Sequence, residues 1–130
     1  MDLFISFQSE NKKHLFGHLV NKLENFYTTH ISLEDKQLNE EENKKINESK
    51  LFMALLTPSF LNSPKCMMQL KFALKNDKKI LLLENESFKI PLETIEEFKS
   101  NAFNCVTITF RDKDASDHER IFRIVEYYLK

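Results

Sequence analysis

The feature that most constrains this chain is the alternation of short apolar runs with segments whose apolar residues recur at helical spacing. The clearest run, Leu51–Leu56, is apolar throughout, which is typical of a strand buried on both faces of a parallel sheet. Four further strands are predicted at residues 3–7, 28–33, 79–83 and 105–110, the last at a sheet edge because its apolar residues alternate. This order predicts right-handed crossovers and an α/β fold: a flavodoxin-like, doubly wound, five-stranded parallel sheet with helices on both faces, in a single domain over residues 1–130.

Several helix starts can be assigned from local chemistry. Ser63 followed by Pro64 places a capping side chain before proline at the first helical position, and this helix is expected to continue to about Asn76. Ser116 or Asp117 is expected to cap the final helix, which extends to the end of the chain. The other predicted helices cover residues 9–26, 42–50 and, more weakly, 91–101.

Composition excludes several classes of function. The formal net charge of -1 argues against nucleic-acid binding through bulk electrostatics. Gly17 is the one glycine, so glycine-rich phosphate loops are absent. No apolar run approaches the ~20 residues that cross a membrane, and no signal peptide is evident. Two cysteines and the absence of paired Cys/His spacing predict no disulfide scaffold, no metal and a cytoplasmic location.

Three short motifs occur in the order expected for one known family. They are the Phe-Ile-Ser-Phe stretch at residues 4–7, Ile46-x-x-Ser49 before the central strand, and Ser63-x-x-Cys66 after it. Together with the length and order of the elements, they resemble the TIR (Toll/interleukin-1 receptor) domain family over essentially the whole chain. The resemblance implies a stand-alone signalling domain of the type that cleaves NAD.

Gln69 occupies the position at which the resemblance implies a catalytic glutamate, three residues after Cys66. An amide is nearly isosteric with a carboxylate, but it has no charge and cannot act as a base. We therefore expect this chain to bind NAD with strongly reduced turnover. Three interpretations of Gln69 remain open: a natural loss in an adaptor-like domain, a substitution introduced to trap substrate, or an exposed helix residue outside any site.

The resemblance also implies a set of substrate-binding residues. Phe7 and Gln8 fit the loop after the first strand, although Phe7 also fits the core. Lys65 stands where the family has tryptophan, so that packing is not transferable. The expected substrate-binding residues are Phe7, Gln8, Lys36, Leu38, Ser63 and Cys66. Glu84 and Glu86 are possible substitute carboxylates, with a solvated loop position as the favoured interpretation of both.

Two functions are expected from different classes. The first is a defence-signalling enzyme that uses NAD as substrate, without a cofactor, and releases ADP-ribose or a cyclic or conjugated form of it. The alternative is a non-enzymatic adaptor that self-associates through the loop at residues 34–41. If the 130 residues are a whole gene product, sensor and effector steps would lie on separate proteins. A phospho-receiver is excluded because it needs a cluster of acids after the first strand and an aspartate at the end of the third, where this chain has Gln8-Ser9-Glu10 and Thr57-Pro58.

Overall fold

The structure, a computed structural model, describes residues 2–7, 17–32, 40–85, 93, 96, 105–111 and 115–129. Strands and helices alternate along the chain, as the sequence predicts. In chain order the elements are β1 (Leu3–Ser6), α1 (Gly17–Phe26), β2 (Thr29–Ser32), α2 (Glu40–Glu48), β3 (Leu51–Leu56), α3 (Pro58–Leu61), α4 (Pro64–Lys75), β4 (Ile80–Asn85), β5 (Cys105–Phe110) and α5 (Ala115–Leu129). Glu93 and Glu96 are also helical, and the rest of the helix predicted at 91–101 lies outside the described residues.

The five strands form one parallel sheet in the order β2-β1-β3-β4-β5. This confirms the predicted flavodoxin-like architecture and the edge position of β5. The chain proceeds outward from β1 in one direction to β2 and in the other through β3, so the order reverses between β1 and β3. In doubly wound folds, ligands bind beyond the carboxyl ends of the strands at this reversal.

Helices cover both faces of the sheet because alternate strand residues point to opposite sides. Odd-numbered residues of β1, such as Leu3 and Ile5, pack with α1 and α5. Even-numbered Phe4 packs on the other face with α2 and α4, in a cluster that includes Ile46 and Leu70. β3 is buried on both faces, as its unbroken apolar run predicts.

Several predicted boundaries are wrong. α2 covers Glu40–Glu48, where the sequence predicts a helix at residues 42–50. The final helix begins at Ala115, so Ser116 and Asp117 lie within its first turn and do not cap it. Asp117 instead accepts a hydrogen bond at its Oδ2 from the backbone N–H of Arg111 at 2.8 Å. β4 continues through Glu84 to Asn85, where the sequence predicts a loop.

One helix was not predicted. Thr57, read from the sequence only as the residue after β3, caps the short helix α3 by accepting a hydrogen bond from the N–H of Phe60 at 3.1 Å. Thr57 followed by Pro58 is the same cap-then-proline signal as Ser63-Pro64. α3 buries Phe60 and leads directly into α4.

Candidate functional site

The candidate site lies at the carboxyl end of β1, on the face covered by α2 and α4. Ser6 is the last residue of β1 and pairs with Ser32 of β2 and Ala54 of β3. α4 begins beyond the carboxyl end of β3 and runs back over the sheet, which brings its second turn above Ser6. The residue of that turn that faces Ser6 is Gln69.

Gln69 is completely buried and both ends of its amide are hydrogen-bonded. Its Oε1 accepts a hydrogen bond from the hydroxyl of Ser6 at 2.7 Å. Its Nε2 donates to Oε2 of Glu42 at 2.5 Å. The side chain therefore links β1, α4 and α2, and it is not an exposed helix residue.

Glu42, in the first turn of α2, extends this network toward the surface. Its second oxygen, Oε1, lies 3.5 Å from Nζ of Lys65. The Glu42 side chain is 17% exposed and that of Lys65 11%, so the pair lies at the edge of the buried network. An ion pair between Lys65 and Glu42 thus occupies the place where the resemblance implies a tryptophan side chain.

His30, on β2, belongs to the same face of the sheet. Its ring packs against Phe4, with centroids 5.1 Å apart, and its buried Nε2 has no hydrogen-bond partner among the residues that the structure describes. Burial lowers the pKa of His30 below its ordinary 6.5, and the nearby ammonium groups of Lys45 and Lys65 lower this pKa further. Glu42 acts on the same pKa in the opposite direction.

Ser63 and Cys66, both predicted to bind substrate, have clear structural roles. Ser63 caps α4 by accepting a hydrogen bond from the N–H of Cys66 at 3.2 Å. Cys66 is buried in the apolar cluster beneath α2 and α4. Binding of substrate by either residue stays a prediction.

The side chain of Phe7 lies on the opposite face of the sheet from α4, which carries the described site residues Cys66 and Gln69. Phe7 is buried in the cluster with α1 and α5, on the opposite face of the sheet from the Gln69 cluster. This burial favours the core interpretation of its ring. Gln8, Lys36 and Leu38 lie outside the described residues.

Glu84 is not a solvated loop acid, which corrects the interpretation favoured from the sequence. It is a strand residue of β4 with 6% exposure, paired in register with Leu56 of β3. Its backbone lies two strands from β1, whereas Glu42 contacts Gln69 directly. Glu86 lies outside the described residues.

The described residues contain no cluster of three or more His, Cys, Asp and Glu side chains arranged to hold a metal ion. They also include no helix with the length and apolar content to cross a membrane. A separate groove of about 600 Å³ lies between β5 and α5. Its lining includes Val106, Ile124 and Tyr127, and none of the Gln69 network.

The sequence suggests Gln69 as a site residue, but it does not suggest its hydrogen-bond partners Ser6 and Glu42, or His30 on the same face of the sheet. Ser6 could have been found, since it is a polar residue at the carboxyl end of a strand beside the order reversal. Glu42 gives no such signal, because it is one of several acids in a highly charged helix. Its contact with Gln69 joins residues 27 positions apart.

Comparison with known proteins identifies the family. The family profile described as "TIR domain" matches residues 3–122. The chain therefore belongs to the TIR domain family. No curated protein matches the chain significantly.

Solved structures share the fold at low sequence identity. The TIR domains of the activated Roq1 resistosome, which directly recognises the pathogen effector XopQ, align with a TM-score of 0.65 and 18% identity, covering 97% of this chain and 98% of that one. The CMP N-glycosidase BcmB of Clostridium botulinum aligns with a TM-score of 0.62 and 17% identity, covering 95% and 99%. A flavodoxin-like domain from Synechococcus sp. aligns with a TM-score of 0.57 and 12% identity, covering 98% and 92%.

Proposed function

We propose that this TIR domain binds NAD or a related nucleotide at the carboxyl ends of β1 and β3, and that its reaction is cleavage of the N-glycosidic bond between nicotinamide and ribose. The observation that carries the proposal is the position of Gln69. Gln69, at the position where the sequence resemblance implies the catalytic glutamate, is hydrogen-bonded to the last residue of β1, beside the order reversal. This is the region where doubly wound folds bind ligands.

The proposed chemistry needs a negative charge near the ribose. Breaking the bond to nicotinamide develops oxocarbenium character on the ribose, and a carboxylate stabilises that charge and binds ribose hydroxyl groups. The Gln69 amide keeps hydrogen-bonding capacity but adds no charge. Nucleotide binding is therefore expected to persist while turnover is reduced by about 10²–10³-fold. ADP-ribose, or a cyclic or conjugated form of it, would act as a defence signal.

The structural comparison supports this class of reaction and suggests a second substrate. A CMP N-glycosidase has the same fold as this chain over nearly the full length of both. CMP and NAD both contain a ribose joined to a base by an N-glycosidic bond. CMP should therefore be tested beside NAD.

The test is a paired assay of the wild-type chain and Gln69→Glu with NAD and with CMP, at protein concentrations high enough for assembly. Binding is measured by calorimetry, and products are identified by mass. We expect both proteins to bind NAD and Gln69→Glu to turn it over faster. Absence of binding and of turnover for both nucleotides in both proteins would rule out the proposed function.

A non-enzymatic adaptor is the second candidate, and one observation favours it. Gln69 is fully buried and bonded at both ends of its amide, so a purely structural role accounts for it. The fold is also that of the TIR domains in an activated resistosome. The loop expected to mediate self-association, at residues 34–41, lies largely outside the described residues. Concentration-dependent assembly without nucleotide binding would support this alternative.

A further inference from the structure

Burial separates the roles of the two polar residues at the centre of the candidate site. Gln69 has no exposed surface, and its oxygen and nitrogen are both engaged, by Ser6 and Glu42. In this structure both polar ends of the amide thus contact protein groups. The carboxylate of Glu42, which accepts a hydrogen bond from Gln69, belongs to a side chain that is 17% exposed.

The Glu42 carboxylate contacts the side chains of Gln69 and Lys65. The Gln69 amide donates to Oε2, and the Lys65 ammonium lies 3.5 Å from Oε1. Gln69 is itself fixed by Ser6 at the end of β1. A carboxylate fixed by hydrogen bonds and an opposite charge in a largely buried setting is preorganised, which is the condition under which one charge contributes most to a reaction.

Gln69 and Glu42 together contain what a single catalytic glutamate would supply. Swapping the amide and the carboxylate between positions 42 and 69 would preserve the hydrogen bond between them, because each side chain has the same length and shape. The network therefore keeps its negative charge, which lies at position 42, one hydrogen bond away from position 69.

We infer that Glu42 supplies the carboxylate that faces the bound nucleotide in this chain, with Gln69 acting as its positioning residue. This inference rests on the proposed function. Glu42 would stabilise positive charge on the ribose from the α2 side of the candidate site. The chain would then keep a turnover that depends on Glu42 despite the amide at position 69.

Glu84 is the competing carboxylate. It is buried at the carboxyl end of β4, on the face that carries Leu82 and the α4 contacts. Its strand is separated from β1 by β3, whereas Glu42 is hydrogen-bonded to the residue at the family's catalytic position. Glu42 is thus favoured, and Glu84→Gln belongs in the test as the rival variant.

The experiment measures NAD binding and turnover for wild type, Glu42→Gln, Gln69→Glu and the swap Glu42→Gln/Gln69→Glu. Glu41→Gln is the matched control, because Glu41 is the preceding residue on the same helix and its side chain is 74% exposed. Thermal unfolding of each variant checks that the fold is retained. The swap keeps both the net charge and the internal hydrogen bond.

We expect Glu42→Gln to lower kcat by at least about tenfold, within the range for loss of one electrostatic group, while the Kd for NAD stays near the wild-type value. Glu41→Gln should match wild type, and the swap should recover turnover. Wild-type turnover that does not exceed that of Glu42→Gln, or a loss that follows Glu84→Gln instead, overturns the assignment of Glu42. In either case turnover by Gln69→Glu leaves the proposed function standing, whereas no binding or turnover by any variant removes both.

Discussion

At the scale of single residues, the interpretation of Gln69 changes once its hydrogen-bond partners are known. The family resemblance implies that Gln69 is an amide in place of a catalytic carboxylate. The structure shows the amide between a hydroxyl and a carboxylate, and an amide suits that place because it can accept from Ser6 and donate to Glu42 at once. A glutamate at position 69 would lack the amide donor that bonds to Glu42.

His30 gives a pH prediction at the same scale. Burial lowers the pKa of His30 in the folded chain, so between that value and the ordinary 6.5 the unfolded chain binds the proton and the folded chain does not. The contribution of neutral His30 to stability is therefore fully present above pH 6.5. It declines as the pH falls through 6.5 toward the lowered value.

The measurement is urea unfolding of wild type and His30→Phe between pH 8 and pH 5.5. Phenylalanine keeps a ring against Phe4 and cannot titrate, while every other titratable group is common to both proteins. The stability of wild type should fall relative to His30→Phe as the solution is acidified. A difference that stays constant over this range contradicts the lowered pKa.

At the scale of the elements, the caps Thr57 and Ser63 start the two helices, α3 and α4, that follow β3. Replacing Ser63 by alanine removes the acceptor for the N–H of Cys66 and should reduce the free energy of unfolding by about 1 kcal/mol. Ser59→Ala is the control, because Ser59 lies within the first turn of α3 and does not cap it. Equal effects of the two substitutions in denaturant unfolding would show that the Ser63 cap contributes little.

Elements with strong local signals could be predicted closely. β3 matches its prediction because an unbroken apolar run between a charged helix and a proline admits one interpretation. α4 starts at Pro64 as expected, since Ser63-Pro64 is a complete local start signal. The end of β4 could not be predicted, because burial of Glu84 depends on neighbouring strands and its polarity suggests a loop.

Only the part of the candidate site that lies in one segment could be proposed from the sequence. Gln69 was proposed because it lies in the same stretch as Ser63 and Cys66, and its role stays a prediction. The contact of Glu42 with Gln69 depends on α2 and α4 lying side by side on the sheet, and no local pattern encodes that pair. The contact between Ser6 and Gln69 joins residues 63 positions apart and is likewise not encoded locally, although the place of Ser6 at a strand end is.

At the scale of the whole molecule, the sheet order brings these distant residues together. β1 lies between β2 and β3. Ser6 at the end of β1 therefore meets Gln69 from a helix after β3, which in turn contacts Glu42 from the helix after β2. The groove between β5 and α5 lies in a different part of the molecule. The location of a bound nucleotide thus distinguishes the proposed site at the end of β1 from the groove between β5 and α5.

The most direct test of the central claim is an NMR titration of the chain with NAD, following the side-chain amide of Gln69. That signal is assigned by its disappearance in Gln69→Glu. We predict saturable shifts of the Gln69 amide and of the Ser6 backbone N–H. The account is contradicted if saturating NAD leaves both signals unmoved, or if the shifts are confined to residues of the β5–α5 groove such as Tyr127.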